Sequence, residues 1–85
     1  MITITQPGDA YIVQPSDSVI RVTTSPALIV FGPTGAVKQA VTVSDRTQGL
    51  NGDVSLMVPG LGPLHLTHGQ MVTVKWDSVN QVWYI

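Results

Sequence analysis

Gln70-Met71-Val72-Thr73-Val74-Lys75-Trp76, then Asp77-Ser78-Val79-Asn80-Gln81, then Val82-Trp83-Tyr84-Ile85: the reading of these residues decides the fold. Two runs of β-branched and aromatic residues flank five residues of turn chemistry, which predicts a β-hairpin. Alternation along the first run puts Val72, Val74 and Trp76 on one face and Met71, Thr73 and Lys75 on the other. In the second run Trp83 and Ile85 face one way, Val82 and Tyr84 the other. Both tryptophans of the chain fall in this hairpin. So apolar an ending is expected to be buried, in the subunit's own core or against a partner.

Working back from the hairpin, the same short alternating runs recur. Ile2-Thr3-Ile4-Thr5, Ala10-Tyr11-Ile12-Val13 and Val19-Ile20-Arg21-Val22-Thr23 read as strands, separated by Pro7-Gly8 and by Pro15-Ser16-Asp17-Ser18. Residues 39–44, 53–58 and 64–67 read likewise, with Asn51-Gly52 as a tight turn and Pro59 to Pro63 as a break. Ala27-Leu28-Ile29-Val30-Phe31 differs in being apolar on both faces. That predicts burial on both, one side in the core and the other, with Leu28 and Val30, against a second sheet or a second subunit. The sum is an all-β chain of about nine short strands, a small antiparallel sandwich or barrel, with no helical period and no repeat of fixed length. No linker divides it, so residues 1–85 form a single domain.

Composition points to self-association. A chain of 85 residues has a thin core. It contains no cysteine, which removes both disulfides and thiolate metal sites. Oligomerisation is the usual remaining device for a small scaffold. Only 11% of residues are charged, against roughly 25% in an average soluble domain. So few charges on so large a relative surface imply that other chains cover part of it. The four basic residues, Arg21, Lys38, Arg46 and Lys75, are scattered, which argues against nucleic acid. No apolar run approaches a bilayer span and no secretory leader is recognisable, so synthesis in a cytoplasm and no membrane are expected.

No catalytic constellation emerges. His65 and His68, three apart on a strand, point to opposite faces and have no cysteine or glutamate to complete a metal site. Gly32-Pro33-Thr34-Gly35-Ala36-Val37-Lys38 lacks the spacing of a phosphate loop and reads as a turn. The five aspartates sit in or beside predicted turns, where their side chains bond their own backbone. No Gly-x-Ser-x-Gly elbow is present. Tyr11, Trp76, Trp83 and Tyr84 suit either aromatic cross-strand packing or a sugar-stacking platform, and the alternation in the hairpin favours packing. A non-enzymatic protein without cofactor or metal is expected.

Residues 39–85 resemble the small trimeric β-modules of bacteriophage tail fibres, tailspikes and other virion proteins. The resemblance is carried by Ala40-Val41-Thr42-Val43-Ser44-Asp45 and its Gly-containing loop, the strand after Asp53, Gly60-x-Gly62, and the closing run from Gly69 to Asp77 with Val82-Trp83-Tyr84-Ile85. It implies a homotrimeric structural virion protein. Read as a whole chain of this length, it looks like a capsid decoration (cement) protein that binds the major capsid protein and stabilises the shell on the capsid surface. The alternative is a tail-fibre or receptor- and glycan-binding module. On this reading Trp76, Trp83, Tyr84 and Ile85 are expected at the trimer axis or core. Ile2 and Ile4, within the unmatched residues 1–38, are expected to meet the capsid.

Overall fold

Alternation of β-branched and small polar residues translates into strands throughout the computed structural model, which describes residues 2–4, 10–23, 27–47, 54–67 and 69–85. The strands are β1 (Ile2–Ile4), β2 (Ala10–Ile12), β3 (Val19–Val22), β4 (Ala27–Val30), β5 (Ala40–Asp45), β6 (Val54–Val58), β7 (Gly62–Leu66), β8 (Met71–Asp77) and β9 (Val82–Tyr84). The described residues contain no helix. The predicted turns at 6–9 and at Asn51-Gly52 lie outside the described residues, as does His68. The predicted break at 59–63 is shorter than expected, because β7 resumes at Gly62. Pro63 fits there because β7 is an edge strand, where a missing N–H leaves no gap in a central ladder.

The strands form two sheets, ordered β1-β3-β5-β8-β9 and β2-β4-β6-β7. The expected purely antiparallel pairing is not what forms. β1, β3 and β5 run parallel, as do β2, β4 and β6, and only the pairs made by β7, β8 and β9 are antiparallel. Neither sheet closes on itself. The cause lies in the connections. Parallel neighbours need a long crossover, and here that crossover is a strand of the other sheet. The chain therefore winds, laying β1, β3 and β5 in one sheet alternately with β2, β4 and β6 in the other.

The winding hides a repeat. Ile2 pairs with Ile20 and Ala10 with Leu28, an eighteen-residue step in both sheets. The next step lengthens to twenty-three residues from Ile20 to Val43 and to twenty-seven from Ile29 to Leu56. Loop insertion thus erases a fixed period while the stacking continues. The inward faces of both sheets supply one core, with Ile20, Val22, Val41, Val43 and Val74 from the first and Ile29, Val54 and Leu56 from the second, all fully buried. Each side chain of this size contributes about 1.5–3 kcal/mol through burial.

Gln39 ties the windings to the terminal hairpin. Its buried side chain donates from Nε2 to Gln14 O at 2.9 Å and Asp17 O at 3.1 Å, and its Oε1 accepts from Ala36 N at 2.9 Å. Its carbonyl accepts from Trp76 N at 2.9 Å. The hairpin itself has the expected register, Trp76 opposite Trp83 and Lys75 opposite Tyr84. Asp77 holds its turn, accepting at Oδ1 from Val79 N and Asn80 N and at Oδ2 from Asn80 Nδ2. The Asn80 contacts keep this carboxyl below the usual carboxylate range. The turn closes with Gln81 at φ 56°, a conformation that suits glycine. Gln81→Gly is therefore expected to stabilise the fold by about 0.5–1 kcal/mol despite glycine's larger unfolded-state entropy. A thermal melt shifted upward by a few degrees is the result to look for.

Candidate functional site

The terminal hairpin puts its two tryptophans into the subunit's own core. Trp83 is 4% exposed and Trp76 7%. Their rings meet edge to face with centroids 5.1 Å apart, and Phe31 meets Trp83 in the same way, also at 5.1 Å. The Trp83 indole donates from Nε1 to Gly32 O at 2.8 Å, which satisfies its one polar atom. Tyr84 and Ile85, grouped with them in the sequence, stay exposed. For Tyr84 the reason is alternation: it shares the outer face of β9 with Val82. Ile85 follows the last residue of β9 and its alternation no longer holds there.

The other sequence candidates divide in the same manner. Ile4, expected to meet a capsid, is buried in the core, because its partner Val22 faces inward. For Ile2 only the backbone pairing with Ile20 is described. The doubly apolar run splits by alternation: Ala27, Ile29 and Phe31 enter the core, and Leu28 and Val30 lie half-buried on the outer face of β4. Nothing of the subunit's first sheet covers that outer face, since both sheets turn their inward faces to one core.

The two outer faces differ in chemistry. That of the first sheet is mostly polar: Thr3, Arg21 and Ser44 lie in one register row, and Thr42 and Thr73 share a 2.9 Å hydrogen bond in the next. At its far end Lys75 Nζ sits 5.9 Å from the centroid of the Tyr84 ring, a cation–π contact. Lys38, Gln39, Lys75, Asp77 and Tyr84 line a shallow cleft of about 460 Å³ there. Lys38 enters it at φ 60°, another left-handed residue that is not glycine. A four-ring sugar platform does not form, because the tryptophans are buried and Tyr11 is engaged elsewhere.

Tyr11 donates from its hydroxyl to Asp17 Oδ2 at 2.6 Å, and the same oxygen accepts from Gln14 N at 2.8 Å. Burial, then this hydrogen bond and the aspartate's charge, push the phenol up to about 12 from 10.0. A raised phenol favours the folded state while protonated. Its contribution is complete below pH 10 and is lost as pH rises from about 10 to about 12. Melting temperatures should accordingly fall more steeply across that window in the wild type than in Tyr11→Phe.

Register also creates a pairing that spacing did not reveal. Ser55 and His65 are cross-strand partners, with Ser55 Oγ 3.0 Å from His65 Nδ1 on an exposed face. Among the described residues no three His, Cys, Asp or Glu side chains cluster as a metal site. Asp45, the last residue of β5, is buried, and its Oδ1 accepts from the Thr47 amide at 2.8 Å and hydroxyl at 2.6 Å. Its Oδ2 has no hydrogen-bond partner. Arg46 next to it is exposed. The signal for the Ser55–His65 pairing exists only in the register of the antiparallel β6-β7 pair, whereas Asp45 bonds the backbone two residues on, as expected of an aspartate beside a turn. No family model, curated protein or solved structure matches the chain.

Proposed function

We propose that the protein is a homotrimeric structural component of a bacteriophage virion, a head decoration (cement) protein that binds the capsid surface and stabilises the shell. The observation that carries this reading is the uncharged, largely apolar outer face of the β2-β4-β6-β7 sheet on a chain with only 11% charged residues. A face of that kind is a contact surface. The resemblance of residues 39–85 to phage β-modules supports the same reading, as does the all-β character of the described residues. The chain acts by mass action. A subunit that binds only the mature lattice stabilises it by RT ln(1 + [L]/Kd) at each of many sites. Burial of Ile4 takes its side chain out of the capsid contact.

Imaging of the particle that carries the chain tests this. Density at capsid threefold positions is the expected result, and density at the tail would overturn it. The cleft beside Tyr84, Lys38 and Lys75 favours a second reading, a glycan-binding module of a tail apparatus. Tail density together with hits on a glycan array, lost in Tyr84→Ala, is the outcome that this second reading requires.

A further inference from the structure

Neighbouring strands of the second sheet bring one set of outward side chains into line. Ile12 of β2 pairs with Val30 of β4, Val30 with Met57 of β6, and Met57 with Pro63 of β7. Partnered residues in a sheet project to the same face. The four therefore form one apolar row that crosses every strand of the sheet. At about 4.8 Å per strand the row is about 14 Å long, and it runs in the direction in which the windings stack. Ile12 is 60% exposed and Met57 43%. On one side lies an apolar hollow of about 190 Å³ formed with Phe31 and Val58. On the other, Ala10, Leu28, Ser55 and His65 make a second row. Neither row contains an Asp, Glu, Lys or Arg.

We propose that three copies of the chain meet along this row, with a threefold axis parallel to Ile12, Val30, Met57 and Pro63. The inference rests on the trimeric reading above and moves its contact from the terminal hairpin to the second sheet. Charge selects the occupant. Beside a symmetry axis each residue faces its own copies, so any charge there meets like charges. This row and its neighbour carry none, whereas the outer face of the first sheet carries Arg21 and Lys75. Shape agrees. A single line of side chains parallel to the stacking direction suits an axis that three faces share.

The absence of native cysteine allows a direct test. Met57→Cys is purified reduced, its mass measured by sedimentation, and then oxidised. Three cysteines around a threefold axis can close only one disulfide. The expected result is a trimer in which about two thirds of the chains become covalent dimers and about one third stay single. Met71→Cys, exposed on the outer face of the first sheet, is expected to give no such product. Ile12→Lys combined with Met57→Lys is expected to yield folded monomers with unchanged tryptophan fluorescence, since both positions are exposed within the subunit. Complete conversion of Met57→Cys to covalent dimers would overturn the threefold axis. A trimer that survives both lysines would overturn the row alone and leave the trimeric reading standing. A wild type that sediments as a monomer at high concentration would overturn both.

Discussion

Gly35→Ala is expected to destabilise the subunit by about 3 kcal/mol, the upper end of the range for overpacking a close-packed core. A Cβ at this position would stand 2.7 Å from Trp76 Cγ, 2.7 Å from Trp83 Cη2 and 2.8 Å from Trp76 Cβ. Carbon atoms make their best contacts at about 3.5–4.0 Å, so all three approaches are repulsive. The rings have little room to yield. Trp83 is held by its bond to Gly32 O and by the edge of Phe31, and Trp76 by its backbone bond to Gln39 O. The backbone of Gly35 is not in the left-handed region. On conformational grounds alone, then, alanine would stabilise, by about 0.4–1 kcal/mol through the unfolded state. The two effects have opposite signs, and the contact distances decide for the steric one. Urea unfolding followed by tryptophan fluorescence should show a lower midpoint with an unchanged slope. A raised midpoint would mean that the loop does not pass under the tryptophan pair.

Gly35 also shows where sequence reading stops. In the sequence it belongs to Gly32-Pro33-Thr34-Gly35, which announces a turn and nothing more. Its role as a wedge beneath β8 and β9 depends on residues more than forty positions away, and no local pattern encodes such a contact. The strands were legible because alternation is local: eight appear where the alternating runs predict them, and β7 alone starts early, at Gly62 within the expected break. The hairpin was legible because turn chemistry and strand chemistry agree across a dozen residues. The pairing of the first six strands was not. A strand followed by a turn and another strand reads alike whether the second strand folds back as a hairpin or crosses to a second sheet. The parallel winding, and with it the apolar row from Ile12 to Pro63, arises from that unreadable choice. The doubly apolar run at Ala27–Phe31 was the one trace of it: Leu28 and Val30 lie half-buried on the outer face of β4.

Trp83→Ala is expected to bring the subunit close to unfolding. Deleting a buried tryptophan to alanine costs about 3–5 kcal/mol, and losing the bond to Gly32 O adds roughly 1 kcal/mol. A domain of this size has only about 4–13 kcal/mol to lose. Trp83→Phe, which keeps a ring against Phe31 and Trp76, should lose appreciably less and remain folded. Near-ultraviolet circular dichroism, which reports the coupled tryptophan rings, should disappear in the alanine variant and persist in reduced form in the phenylalanine one. The same substitution separates two roles for the hairpin. If Trp83 acts inside the subunit, as its 4% exposure indicates, the loss must be equally large in a chain that also carries Ile12→Lys and Met57→Lys. If Trp83 instead acts between subunits of the proposed trimer, the two lysines must abolish most of its effect, because stability drawn from association depends on protomer concentration. A double-mutant cycle across the two sites should therefore close with a coupling below about 0.5 kcal/mol, as independent sites do. A coupling of several kcal/mol would return the tryptophans to the trimer contact and leave the subunit's core without its largest side chain.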